Sequence, residues 1–287
     1  MTTGSGDRIA TIADAFSRTA ERYDAFGADH PHLARMRGKV YAHLERAVPP
    51  GARILELNAG TGTDAVELAR RGFTVHATDV APGMLALLRD KVDRLGLHDR
   101  VTSEERSFLE LGGIGGGPWD VVFSDLGGLN CTADLRTVVA GVDRVLRPGG
   151  TVVWVVMPPI CLWELALLAT GRPRLAFRRL RRGGTRAHLE GRFFDVHYFT
   201  PRQVVRAFGT GYEPLRIEGL SVITPTAESR TLAIRHPRVY RGLAAIDDAL
   251  AGRRPFSDWG DFFIVSLRRR IEPIEPIERP ERSEKRG

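Results

Sequence analysis

From Ile9 to Val48 apolar side chains recur at three- and four-residue spacing, first Ile12, Phe16, Tyr23 and Phe26, then Leu33, Met36, Val40 and Leu44. That is the period of one buried helical face, and it predicts helix over this span. Pro49-Pro50-Gly51 ends it, because proline lacks a backbone donor and cannot continue a helix. Beyond the break, short apolar runs alternate with amphipathic stretches: Ile54–Leu57 then Asp64–Arg71, Phe73–Thr78 then Gly83–Leu95, Trp119–Ser124 then Leu135–Leu146, and finally Thr151–Met157. Strand and helix in alternation mean a parallel sheet covered on both faces, an α/β architecture.

The second half keeps no such rhythm. Pro158 to Ala176 predicts a pair of apolar helices, followed by an arginine run from Arg178 to Arg186 and an aromatic stretch from Phe193 to Phe199. Thr200-Pro201 marks a helix start, with threonine as cap and proline at the first position. Leu215–Ile223 and Phe262–Leu267 read as two further strands, separated by a mostly helical insertion around Val239–Leu250. The charged Ile-Glu-Pro repeats of residues 271–287 are expected to be disordered. Thr151 to Thr170 is almost wholly apolar and arginines follow it, but Pro158-Pro159 interrupts the run, so no membrane-spanning helix is expected. Peripheral contact of Ile160–Ala169 with a membrane or anionic lipid stays open beside simple packing on the core.

A chain of 287 residues with 43% hydrophobic and 27% charged residues has enough apolar surface for a sizeable core, which excludes disordered and collagenous classes. One domain with insertions is expected. The two cysteines, Cys131 and Cys161, are too few for a disulfide or metal framework, so the reducing cytoplasm is the expected compartment and no metal is expected. The first thirty residues lack the basic segment, apolar core and cleavage site of a secretory signal, so the mature chain is expected to start near Met1. Net charge is +7, and arginine supplies all but three of the 42 basic residues. Such a skew follows from the base composition of a gene as readily as from an acidic partner, and charge speaks to solubility rather than to fold.

The stretch Ile54-Leu55-Glu56-Leu57-Asn58-Ala59-Gly60-Thr61-Gly62-Thr63-Asp64-Ala65 runs from a strand through a Gly-rich turn into a helix. Gly60 and Gly62 let a backbone come close to a ligand, and the helix start offers unpaired N–H groups. Gly60-x-Gly62-x-x-Ala65 also satisfies the relaxed dinucleotide fingerprint. Glu56 argues against a pyrophosphate there, since a carboxylate at the strand end repels a phosphate and attracts an ammonium. Asp79, ending the next strand, can accept both hydroxyls of a ribose, a feature that suits NAD and S-adenosylmethionine alike. Met84, five residues on, offers an apolar surface to an adenine. Each residue also has a plainer use: the glycines in a tight turn, Met84 in the core, Glu56 as a cap.

Glu56 to Gly62, Asp79 to Leu85, Trp119 to Asp125 and Leu146-Arg147-Pro148-Gly149-Gly150 resemble, in order and spacing, the successive motifs of class I S-adenosylmethionine-dependent methyltransferases. They cover about residues 50–157, and Phe16 to Asp24 is similar to the lead-in of many small-molecule members. The resemblance implies a doubly wound, Rossmann-like, seven-stranded and mostly parallel sheet with a C-terminal antiparallel strand and helical cap insertions. It divides the chain into a helical lid (1–48), the cofactor-binding half of the core (49–157), a cap insertion (158–200) and the rest of the core (201–270) with a helical insertion near 225–258. It also implies S-adenosylmethionine as cofactor, with Glu56 near the methionyl ammonium, Gly60 and Gly62 shaping the turn, and Asp79 on the ribose. Val80 and Met84 would flank the adenine, Ser107 and Phe108 meet its edge, Ser124 sit near the donor, and Tyr23 contact the cofactor from the lid. Asn58 stands where the family usually has its first glycine, and asparagine tolerates the left-handed backbone such a turn needs.

A sulfonium methyl is already activated, so the protein has to align a nucleophile and exclude water. His197, in the aromatic stretch of the insertion that usually roofs the acceptor pocket, is the candidate general base; packing on a strand is its plainer use. Asn130 is a candidate for orienting the acceptor, against helix capping. Trp163, Phe177, Phe193, Phe194, Tyr198 and the apolar Ile160–Ala169 segment are expected to form a lid over a hydrophobic acceptor cavity, which favours a small lipophilic or aromatic acceptor. Three rivals remain: a nucleic-acid methyltransferase, an NAD-dependent oxidoreductase and a non-catalytic relative. Ser124-Asp125-Leu126-Gly127 lacks the Asn/Asp-Pro-Pro-aromatic sequence of enzymes modifying base amines, so nucleic acid is not the expected partner. The residues leave the oligomeric state open.

Overall fold

The computed structural model describes residues 5–181 and 183–271. Seven strands form the central sheet: β1 (Arg53–Leu57), β2 (Thr74–Asp79), β3 (Val101–Glu105), β4 (Trp119–Ser124), β5 (Leu146–Val156), β8 (Tyr212–Leu220) and β9 (Phe262–Arg269), in the order β3-β2-β1-β4-β5-β9-β8. β6 (Thr185–Leu189) and β7 (Arg192–Val196) make a separate antiparallel hairpin. β1 pairs in parallel with β2 on one side and β4 on the other. Strand order reverses there, and an open α/β sheet binds its ligands at the carboxyl ends of such strands. β9 runs antiparallel between β5 and β8.

Strand alternation sorts the core into two layers. Ile54, Val121, Phe123, Val153 and Val155 pack on one face, against α2 (Pro31–Ala47), α3 (Thr63–Arg70) and α4 (Pro82–Leu95). Leu55, Leu57, Val122, Val152 and Trp154 pack on the other, against α5 (Leu135–Val145) and α8 (Pro201–Phe208). The sheet is therefore covered on both faces, as the alternating pattern requires.

Several expected elements differ. The N-terminal span is two helices, α1 (Ser5–Ala28) and α2, because Pro31 starts a new helix and His30 caps it by accepting the Leu33 N–H at 3.3 Å. The apolar helix pair over Pro158–Ala176 forms only in short pieces. That segment makes only short turns, α6 (Leu162–Leu165), Ala166–Thr170, α7 (Pro173–Ala176) and Arg178–Leu180, since Gly171 in the left-handed region and Pro173 cut any longer helix. The strand expected over Leu215–Ile223 is β8, three residues earlier. It stops because the N–H groups of Val222 and Ile223 go to Asp247 Oδ1, at 2.7 and 2.9 Å. Asp247 lies on α10 (Pro237–Leu250), which with α9 (Thr231–Arg235) forms the helical insertion before β9. Thr151–Val156 is buried strand, and no helix among the described residues is long and apolar enough to cross a membrane. Apart from Ile271, the tail expected to be disordered lies outside the described residues.

Candidate active site

The turn after β1 begins with Asn58 at φ +50°, the left-handed conformation its side chain permits. Asn58 Oδ1 accepts from Ser124 Oγ at 2.9 Å and its Nδ2 donates to the Asp125 carbonyl at 3.3 Å, so one side chain ties the ends of β1 and β4 together. Gly62 starts α3 at φ +76°, and a Cβ there would meet Leu88 of α4 at 2.5 Å. Its place is a packing contact. Gly60 is different: nothing lies within 4 Å of where its Cβ would stand, and it faces a cavity of about 280 Å³.

Asn58, Gly60, Asp79, Val80 and Met84 line that cavity from the sheet side, with Phe108 and Cys131 beside them. Ile12, Phe16 and Tyr23 of α1 close it from above; they lie on one helical face, at four- and seven-residue steps. Ala187, Phe194 and Val196 of the β6–β7 hairpin complete the roof. Ion pairs clasp α1 to the hairpin: Arg8 with Asp195 at 3.8 Å, Asp14 with Arg192 at 2.7 Å, and Arg22 with Glu190. Toward its other end, Thr61 of the Gly-rich turn donates to Asp24 at 2.7 Å, and Lys91 donates to both.

Asp79 Oδ2 accepts the Gly60 N–H and its Oδ1 the Ala81 N–H, both at 2.8 Å. Burial raises its pKa against those hydrogen bonds. Under the floor lie three carboxylates the sequence does not obviously connect, Glu56, Asp64 and Asp125, all buried. Asp64 accepts from Arg37 Nε at 3.0 Å and from the Tyr41 hydroxyl at 2.5 Å. Burial, then the charges of Asp64 and Asp125, push Glu56 well above the usual carboxylate range. Burial and Asp64 push Asp125 up to about 8. Glu56 Oε2 and Asp125 Oδ2 are both buried without a hydrogen-bond partner. Burial and mutual repulsion thus keep protons on carboxyls that a cation arriving beside them would release, and Asp125 is also part of the cavity wall.

The structure thus brings Tyr23, Asn58, Gly60, Asp79, Val80, Met84, Phe108 and Phe194 to one cavity, with Glu56 and Ser124 behind it. Other expected site residues lie elsewhere. Ser107 is buried in an adjacent cleft with Leu109, whose N–H its hydroxyl accepts at 3.2 Å. Asn130 is fully buried and serves as a latch: its Oδ1 accepts the Met157 N–H at 2.9 Å and its Nδ2 donates to the carbonyls of Met157 at 3.2 Å and His197 at 2.5 Å. His197 does not line the cavity, because side chains alternate along the hairpin: Phe194 and Val196 face in, and His197 turns away against Gly184. Trp163 donates to the Ile223 carbonyl at 2.9 Å on the surface, and Tyr198 lies under the Arg179 guanidinium at 5.4 Å. Both hold the cap in place. Asp125, the end of the Trp119–Asp125 motif, is given no site role of its own by the sequence pattern, although a residue just past β4 at the point of strand reversal is a natural place for a ligand contact.

A family model described as a methyltransferase domain matches residues 54–150. The chain is 30% identical over 209 residues to a malonyl-acyl-carrier-protein O-methyltransferase of Halorhodospira halophila, covering 68% of each chain. It is 37% identical over 152 residues to a demethylmenaquinone methyltransferase of Thermus thermophilus, covering 50% of this chain and 64% of the relative. The chain spans between 55% and 68% of the length of these and a similar curated relative. Among solved structures, the 1,6-didemethyltoxoflavin-N1-methyltransferase of Burkholderia thailandensis superposes with a TM-score of 0.57 at 16% identity, covering 94% of this chain and 92% of that one.

Proposed function

The chain belongs to the class I S-adenosylmethionine-dependent methyltransferases, and from that premise we propose that it methylates a small lipophilic acceptor held beneath α1 and the β6–β7 hairpin. The observation that carries this reading is the Glu56 Oε2 atom, buried without a partner beside Asp64 and Asp125, behind a turn left open at Gly60. That cluster fits a ligand with an ammonium and a sulfonium and is hostile to a diphosphate. The cofactor, when bound, supplies a methyl group already activated by positive sulfur.

The chain's own residues then have separable tasks. Glu56, from behind the turn, would attract the ammonium, Asp79 would accept from the ribose, and Val80 and Met84 would enclose the adenine. Phe16, Phe194 and Val196 exclude water, so an aligned acceptor meets no competing nucleophile. Asp125 takes the place expected for His197. A cation beside it draws its carboxyl below about 8, leaving a carboxylate able to take a proton from an acceptor hydroxyl or acidic carbon.

One relative is named for malonyl-acyl-carrier protein and the other for demethylmenaquinone. A lipophilic ring agrees better with Ile12, Phe16, Met157, Phe194 and Val196 in the cavity wall. An anionic acceptor would meet Asp125, and the cation on the wall among the described residues, Arg106, already donates to Glu104 at 2.8 Å. Calorimetry with S-adenosylhomocysteine and with NADH, followed by methyl transfer to a panel of phenols, quinols and carboxylates, tests the reading. The expected result is binding of the first ligand alone and turnover on a phenol or quinol. NADH binding without S-adenosylhomocysteine binding overturns it.

A further inference from the structure

The cap segment after β5 has an unusual surface. Glu164 is its one acid up to Leu189, and it is buried, accepting from Arg178 at 2.8 Å and from Arg179 at 2.7 Å. Arg179 reaches on to Asp261 at 2.7 Å. These bonds pin the short turns α6 and α7 to the core and occupy Glu164 and Asp261. Arg172, Arg174, Arg181 and Arg186 stay exposed, and none of them pairs with a carboxylate among the described residues. Interleaved with them, Leu168, Leu175, Phe177 and Leu180 are 44–51% exposed.

Four large apolar side chains clustered in thirteen residues are more than scattered surface hydrophobics. Arginine between three leucines and a phenylalanine is the composition of a segment that settles at the bilayer boundary, apolar groups in the acyl region and guanidinium groups among anionic headgroups. A nucleic acid would use the arginines and leave the leucines bare. We propose that the α6–α7 knob docks the protein on an anionic lipid surface. On the methyl-transfer reading, the same contact would feed the cavity: Arg186 stacks on Phe193 at 4.5 Å, and both line a cleft that shares Ile12 and Phe194 with the main cavity. The docking itself does not depend on that reading.

Flotation of the full chain with vesicles of phosphatidylcholine alone, or mixed equally with phosphatidylglycerol, tests the proposal without any turnover. Binding is expected to the anionic vesicles, to weaken with added salt, and to fall about fivefold for each of Arg174→Gln and Arg181→Gln. The triple variant Leu175→Ser, Phe177→Ser, Leu180→Ser, checked for folding by its thermal melt, should lose more than about tenfold. No binding to the anionic vesicles overturns the proposal, as does binding that survives the triple variant. Equal retention on soluble polyglutamate, insensitive to that variant, also overturns it and reassigns the surface to an acidic protein.

Discussion

Gly128 sits so close to Asn58 that a Cβ on the glycine would collide with the asparagine amide. Asn58 stands at the start of the Gly-rich turn, and Gly128, seventy residues on, leaves the space its side chain needs. In return Asn58 bonds to both Ser124 and the Asp125 carbonyl. Gly128→Ala should therefore destabilise the protein by about 1–3 kcal/mol, the usual range for overpacking, and weaken S-adenosylhomocysteine binding. Adding Asn58→Gly should restore much of the loss, since glycine adopts the same positive φ. Urea denaturation of the two single variants and the double would reveal strictly additive losses if the two positions were independent.

Asp79 joins the end of β2 to the Gly-rich turn and also faces the cavity. Asp79→Ala should weaken S-adenosylhomocysteine binding by about 1.5–3 kcal/mol, as expected for hydrogen bonds to a charged group. An unchanged affinity by calorimetry would remove Asp79 from the cofactor contacts.

The acid cluster under the floor makes binding and folding depend on pH. Asp125 has a folded pKa of about 8, far above that of an unfolded aspartate, and Glu56 is raised too. A raised carboxyl means the folded state holds the extra proton, so the stabilisation is complete below about pH 4 and is lost as pH rises toward 8. Asp125→Asn should accordingly raise the melting temperature of the ligand-free protein more at pH 8 than at pH 5. A cation bound beside the cluster drives protons off. Calorimetry at pH 7 in buffers of different ionisation enthalpy should register proton release on S-adenosylhomocysteine binding, and less of it in Asp125→Asn.

Ser266, His43 and Glu218 have the outline of a hydrolase triad: His43 Nε2 lies 3.0 Å from Ser266 Oγ, and its Nδ1 lies 2.5 Å from Glu218 Oε2. All three are buried between α2 and the sheet, with Ser266 fully inaccessible, so a serine-reactive fluorophosphonate should not label the folded protein. The network contributes stability instead. Although burial opposes it, His43 and Arg216 hold Glu218 down to about 2, so its contribution is present above about pH 4.5 and is lost as pH falls through 2. Glu218→Gln should cost about 1.5–3 kcal/mol near neutral pH, measured by urea denaturation, with the difference from the parent shrinking in acid.

Much of this protein was determined by local pattern. The alternation of short apolar runs with amphipathic stretches was sufficient for the parallel sheet, because the periods of strand and helix differ and each must bury one face. The Gly-rich turn and the acids at the ends of β1 and β2 were legible for the same reason: backbone conformation and strand termini depend on residues a few positions apart. What tertiary structure alone decided were contacts between distant segments. Whether His197 faced the cavity depended on the phase of the hairpin against α1, and Asn130 became a latch only because β5 and the cap meet at its amide. The convergence of Glu56, Asp64 and Asp125 on Arg37 brings four elements together. No spacing in the chain encodes it, since burial and mutual repulsion exist only once the sheet has closed over those carboxylates.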